Sequence, residues 1–155
     1  MALDFLPISV RIRDVKILIV GGGRVATHKA TILHRFTDEA TVVAPEISEG
    51  LRQLPFHLFE RPFQDNDLDG VQLLFICTGD RALNREIRDK ARARGILSSV
   101  CDDPELCDFV SPAISYQEGD NLTISVGSDA RDVHRSIRVR NRIQELIDNH
   151  QLNIE

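Results

Sequence analysis

Residues 15–33 read VKILIVGGGRVATHKATIL: a largely apolar run meets three consecutive glycines, Gly21, Gly22 and Gly23, and then resumes with helix-forming residues. Lys16 to Val20 has the β-branched composition of a strand buried on both faces of a parallel sheet. Arg24 to Phe36 carries Val25, Ala26, Ile32, Leu33 and Phe36 at helical spacing. Each glycine costs about 0.5–1 kcal/mol of extra folding entropy relative to alanine. Three in succession therefore imply a backbone that something must approach closely.

Gly21, Gly23 and Ala26 spell G-x-G-x-x-A between a predicted strand and a predicted helix, the context in which this pattern holds a dinucleotide. Gly21 permits the tight turn, Gly22 adds conformational freedom, and Gly23 lets the backbone approach a pyrophosphate. Ala26 lets the helix pack on the strand, and unpaired N–H groups at the helix start face the anion. A glycine-rich turn without a ligand is the plain alternative.

The alternation continues outward. Ala40 to Ala44 reads as a second strand, followed by Pro45 and a short helix from about Ser48 to Leu54, and Phe56 to Glu60 as a third strand. Val71 to Cys77, the most continuously apolar run, ends at Thr78-Gly79-Asp80 before a helix from Arg81 to Arg94 that Gly95 stops. Ile96 to Val100 is a fifth strand. Ligands of open α/β sheets lie beyond the carboxyl ends of the strands, which makes Thr78, Gly79 and Asp80 a second lining of the same crevice. Asp80 is equally suited to cap the helix that follows, and the two roles are compatible.

After CDDPELCD, two extended segments flank a Glu118-Gly119-Asp120-Asn121 turn, and Ala130 to about Asn149 reads as an amphipathic helix with Val133, Ile137, Val139, Ile143, Leu146 and Ile147 on one side. The expected fold class is α/β: a Rossmann-like NAD-binding domain with a parallel sheet over residues 1–112, then a β-hairpin and C-terminal amphipathic helix over 113–155. At 155 residues and 42% hydrophobic content the chain suits one core rather than two ordinary domains.

A net charge of -5 argues against a general nucleic-acid binder, so an anion must be held locally. Three cysteines, Cys77, Cys101 and Cys107, lack C-x-x-C spacing and suggest neither a disulfide framework nor a zinc ribbon. CDDPELCD gathers two thiols and four carboxylates, yet matches no standard metal spacing, and no metal site is expected. With no basic leader and no membrane-length apolar run, the protein is expected to be soluble, unprocessed and cytoplasmic, without a membrane partner. Ala44 replaces the usual ribose-binding acid, Glu46 lies two residues on, and APEISEG holds no lysine or arginine for a 2′-phosphate. NAD is thus favoured over NADP.

LPISVRIRDVKILIVGGGRVATHKATIL, TVVAPEIS, FICTGDRALN and VCDDPELCDFVSPAI, in this order, resemble the N-terminal module of siroheme synthase, the precorrin-2 dehydrogenase/sirohydrochlorin ferrochelatase family. The resemblance spans roughly residues 5 to 128. It implies NAD-dependent oxidation of precorrin-2 to sirohydrochlorin, with ferrochelatase activity in some members, and a homodimer. The family's NAD contacts fall on Gly23, Arg24 and Val25 and on Pro45 and Glu46. Its catalytic aspartate falls on Asp102, for which a turn residue before Asp103-Pro104 is the plain alternative.

Where the family typically has a glycine-glycine-x-serine-proline segment after the last strand, this chain reads Ser128-Asp129-Ala130-Arg131-Asp132-Val133, and only Ser128 matches. His28 stands where an arginine is common, and the chain stops at Glu155, short of the family's longer helical region. Arg131, Arg135, Arg138 and Arg142 form a basic stripe. Ser128, Arg131, Arg135 and Arg138 are the candidates for the polycarboxylate substrate, a solvated helix face being the alternative. A non-catalytic NAD-binding sensor or partner subunit is the rival function.

Overall fold

A computed structural model describes residues 2–117, 119 and 121–152. The chain folds as two compact units, Val10–Phe109 and a second made of Met1–Ser9 with Val110–Glu155. The division expected after residue 112 therefore falls near Val110, with the first residues of the chain joining the second unit. Within that unit the Asp129 carboxylate accepts hydrogen bonds from the Asp4 and Phe5 amides at 2.8 and 2.9 Å.

In the larger unit, β1 (Ile17–Val20), β2 (Thr41–Ala44), β3 (His57–Glu60), β4 (Leu73–Ile76) and β5 (Leu97–Val100) form a parallel sheet in the order β3-β2-β1-β4-β5. β1 and β4 are central and buried at every residue, which is why ILIV and LLFI carry no polar alternation. Successive side chains leave opposite faces of the sheet. Ile17, Ile19, Val42, Ala44 and Phe75 pack on one face with Ala26, Ala30 and Leu33 of α1 (Arg24–Leu33) and Leu51 of α2 (Glu49–Arg52). Leu18, Val20, Val43, Leu74 and Ile76 pack on the other with Ile87 and Ala91 of α3 (Arg81–Ala93).

Several ends differ from expectation. α1 stops at Leu33, and a turn closed by the Phe36 amide on the Leu33 carbonyl takes over. Ser48 caps α2 instead of belonging to it, and Gly95, at φ +71°, ends α3. Two 3₁₀ turns, Asp65–Leu68 and Pro104–Leu106, have no apolar period to announce them. The first is held by Asp67, whose carboxylate accepts from the Gln64 amide at 2.8 Å and from Arg61 Nη1 at 2.9 Å. No helix of the described residues is long and apolar enough to cross a membrane.

In the smaller unit, β6 (Ala113–Tyr116) and β7 (Thr123–Val126) pair antiparallel, and α4 (Val133–Asp148) packs on them. Of the expected turn, Glu118 and Asp120 lie outside the described residues, and Gly119 has φ +84°. The line of α4 that is covered is not the purely apolar one expected. It runs through Ser136, Arg140, Ile143, Gln144, Leu146 and Ile147, so three of the six expected apolar residues are covered, whereas Val133, Ile137 and Val139 are 59%, 38% and 41% exposed. Hydrogen bonds explain the difference: Arg140 donates to the Ile114 carbonyl at 2.7 Å, and the Ser115 hydroxyl donates to Gln144. Arg140 and Gln144 are satisfied by the hairpin, Ser136 donates to the Asp132 carbonyl, and Val133, Ile137 and Val139 fall to the flanks.

Asp129 and Ala130 have φ of +55° and +57°. Both lie in the left-handed region, which favours glycine over residues that carry a Cβ. Left-handed conformation costs a residue with a Cβ about 1–2 kcal/mol, and glycine's extra freedom in the unfolded chain returns about 0.4–1 kcal/mol of that. Ala130→Gly is therefore expected to stabilise the protein by about 0.5–1 kcal/mol. A urea titration checks this, and an unchanged or lower midpoint would contradict the strain.

Candidate functional site

β1 has β2 on one side and β4 on the other, and the strand order reverses there, so the carboxyl ends of β1 and β4 border the crevice in which this topology binds ligands. The loop leaving β1 is built by its neighbours. The Gly21 amide donates to the Val43 carbonyl at 2.9 Å, and the Ser48 amide donates to the Gly22 carbonyl at 2.9 Å. Thr27 and Ser48 join their hydroxyls at 2.7 Å, tying α1 to the segment after β2.

The three glycines have different reasons. Gly21 has φ +124°, and a Cβ there would lie 2.5 Å from the Cys77 carbonyl oxygen. Gly22 needs space rather than the conformational freedom expected of it, because a Cβ would overlap the Glu46 carbonyl oxygen. Gly23 has extended backbone, φ -89°, and nothing within 4 Å of where its Cβ would be. Neither packing nor dihedral in the chain itself calls for glycine at position 23. A ligand lying against the backbone would.

Gly23 is also the N-cap of α1 and makes no side-chain capping bond, whereas Ser48, Asp80 and Asp132 cap α2, α3 and α4. The first amides of α1, at Arg24, Val25 and Ala26, thus face outward uncapped at the positive end of the helix dipole. Ala26 is fully buried and lets α1 sit close to β1, while Val25 is 44% exposed at the rim. The residues present suit a pyrophosphate.

Two further loops border the crevice. Pro45 and Glu46 are exposed beyond β2. Beyond β4, Thr78 is held by Asn84, a buried residue of α3 whose amide nitrogen donates to the Thr78 carbonyl at 3.1 Å and whose oxygen accepts from the Thr78 hydroxyl. Asp80 caps α3 through the Ala82 and Leu83 amides at 2.9 and 3.1 Å, and Gly79, like Gly23, would place a Cβ in open space. Asp102 follows β5, half-exposed, with Arg81 Nε 3.9 Å from its carboxylate; Asp103 lies 3.6 Å from Arg85.

The fold also separates what the sequence placed together. Cys101 packs on the α1 face of the sheet, and Cys107 packs on the α3 face. Cys107 is half-buried: its thiol donates to the Val100 carbonyl at 3.2 Å, and burial pushes its pKa up. Among the described residues no group of three or more His, Cys, Asp and Glu side chains is arranged to hold a metal. Ser128, Arg131, Arg135 and Arg138 belong to the smaller unit. There the Ser128 hydroxyl accepts from the Asp132 amide at 3.2 Å, and Arg131 pairs with Asp4 and Asp129 at 2.9 and 3.1 Å. Arg135 and Arg138 are exposed.

A family model described as "Putative NAD(P)-binding" matches residues 8–113. The chain belongs to this NAD(P)-binding family. Its match begins ahead of β1 and runs through β5 and the Asp102 loop. Beyond the family model, the chain is 39% identical over 142 residues to a siroheme synthase of Pseudomonas aeruginosa, covering 89% of this chain and 30% of that protein. It is 34% identical to the siroheme synthase of Methylococcus capsulatus over the same shares. The chain thus spans about a third or less of the siroheme synthases it matches. A solved structure named SirC, precorrin-2 dehydrogenase, superposes with a TM-score of 0.78 at 19% identity, covering 91% of this chain and 70% of that one, and shares the fold.

The contrast between Gly22 and Gly23 is testable in this NAD(P)-binding protein. Gly22→Ala should destabilise the protein by about 1–3 kcal/mol, because backbone must move to admit the methyl group. Gly23→Ala should leave stability within about 1 kcal/mol of wild type yet weaken NAD binding by roughly tenfold or more, which corresponds to about 1.4 kcal/mol. Denaturant titration and calorimetry separate the two effects. Unchanged NAD affinity in Gly23→Ala would remove the site from this turn.

Proposed function

We propose that the chain is an NAD-dependent precorrin-2 dehydrogenase, oxidising precorrin-2 to sirohydrochlorin in siroheme synthesis. The observation that carries the reading is the open, uncapped Gly23 turn at the switch point, in a chain 39% identical to a siroheme synthase over 89% of its length. In this reading Gly21, Gly22, Gly23, Arg24, Val25, Ala26, Pro45, Glu46, Thr78, Gly79 and Asp80 hold the cofactor. The backbone amides of Arg24 to Ala26 bind the pyrophosphate, and the absence of a basic residue in APEISEG selects NAD over NADP.

NAD supplies the hydride acceptor. The chain must supply a site for the accompanying proton, and the Asp102 carboxylate, half-exposed at the end of β5, is the base that the reading assigns. Arg81 offsets its charge at 3.9 Å, a spacing loose enough to leave the carboxylate oxygens free to accept. Asn84 holds the Thr78-Gly79 loop, and the Asp80 carboxylate is taken up in capping α3. Arg135 and Arg138 are exposed guanidinium groups suited to a polycarboxylate, and Ser128 and Arg131 are the remaining substrate candidates. The exposed Val133, Ile137 and Val139 of α4 support a homodimer, which sedimentation at micromolar concentration tests; a persistent monomer with NAD present would contradict it. A ferrochelatase activity and a cytoplasmic location complete the reading.

Incubation with NAD and enzymatically generated precorrin-2 should yield the sirohydrochlorin spectrum. Asp102→Asn keeps the size and much of the hydrogen bonding of the carboxylate, so NAD affinity should hold while the rate falls about 10²–10⁴-fold. Asp103→Asn should keep most of the rate. Equal rates in Asp102→Asn and wild type would overturn the assignment of the base, and NAD binding by a wild type without turnover would favour a sensor or partner subunit.

A further inference from the structure

Cys77 and Cys101 are separated by 24 residues in sequence and lie side by side in the fold, with 2.7 Å between their sulfurs. The register explains the meeting. β4 and β5 pair Ile76 with Val100, so Cys77 and Cys101 are the next residues on adjacent parallel strands, and both turn to the α1 face. Adjacent strands lie about 4.8 Å apart, inside the roughly 4.4–6.8 Å range of Cα separations that a disulfide spans. The sulfurs are free thiols, and joining them takes a shift of well under one ångström from their present separation toward the S–S bond length of about 2.05 Å.

The two thiols are not equivalent. Cys77 is buried, and its hydrogen-bonding contact with Cys101 together with that burial holds its proton on. Cys101 is half-buried, and its contact with Cys77 and the Lys29 ammonium of α1 favour its thiolate. The less buried sulfur, Cys101, is the one an oxidant reaches first, and the buried Cys77 in contact with it is placed to resolve it. Cys107 takes no part, because it lies on the opposite face of the sheet.

We propose that Cys77 and Cys101 are an oxidant-sensitive modification site, a dithiol that a hydroperoxide converts reversibly to an intramolecular disulfide at the mouth of the crevice. The Cys101 thiolate attacks one peroxide oxygen, the O–O bond breaks, and the departing oxygen leaves as hydroxide, giving the Cys101 sulfenic acid. The Cys77 sulfur then attacks the Cys101 sulfur, its proton leaves with the hydroxyl group as water, and the S–S bond forms. Two thiols lose two electrons and two protons, and hydrogen peroxide becomes two waters. The bond staples Thr78 and Gly79, which follow Cys77, to Asp102, which follows Cys101. The chemistry itself does not depend on what the crevice binds.

The test treats the full chain with a small molar excess of hydrogen peroxide, alkylates the remaining thiols and maps the peptides by mass spectrometry. Titratable thiols should fall from three to one, with Cys77 and Cys101 in one linked peptide, Cys107 alkylated, and complete reversal by dithiothreitol. Cys107→Ser should form the same link, and Cys101→Ser should form none and leave Cys77 alkylatable only after unfolding. Three intact thiols in oxidised wild type, a link that includes Cys107, or Cys101 carried to the sulfinic acid without a link would each overturn the proposal. The wild-type map decides the matter even if a variant fails to fold.

Discussion

The larger unit depends on the backbone of Gly21 and Gly22 lying against the backbone of two neighbouring strands at once. Gly21 gives its amide to Val43 at the end of β2 and leaves no room for a side chain beside Cys77 at the end of β4. Gly22 abuts the Glu46 carbonyl. These contacts hold the carboxyl end of β1 at the switch point and aim the chain so that α1 begins over the crevice. Ala26 and Ala30, both fully buried, then let the helix come down on the sheet. Larger residues at any of these positions would lift the helix and carry its amides away from the crevice.

That placement reconciles a net charge of -5 with an anionic ligand. The first turn of a helix presents roughly half a positive charge, and its effect is confined to that turn. The Asp80 carboxylate, which would otherwise oppose an anion across the crevice, is committed to two amides of α3. Local geometry therefore supplies an attraction that the overall charge does not.

Much of this was legible in the sequence because both-face burial leaves a plain mark. The all-apolar ILIV and LLFI segments, and the glycines set between strand and helix, announced a parallel sheet and its crevice. Other features left no such mark. Asn84 acts through side-chain hydrogen bonds to Thr78, the Thr27–Ser48 pair joins residues far apart in sequence, and Cys77 meets Cys101 only through strand register. The covered line of α4 is only half legible, because Ser136, Arg140 and Gln144 are polar and yet covered beside Ile143, Leu146 and Ile147, which periodicity of apolar residues cannot reveal. Asp129 and Ala130 adopt left-handed backbone without being glycine, which their residue types do not announce.

The central claim is that the amides opening α1 are left uncapped for a dinucleotide. Amide hydrogen exchange with and without saturating NAD measures those groups directly. The account predicts slowed exchange in peptides covering Gly22 to Ala26 and Thr78 to Asp80, with no change around Lys16 and Gln72 at the opposite ends of the strands. Unchanged exchange at Gly22 to Ala26 while NAD is bound would contradict it.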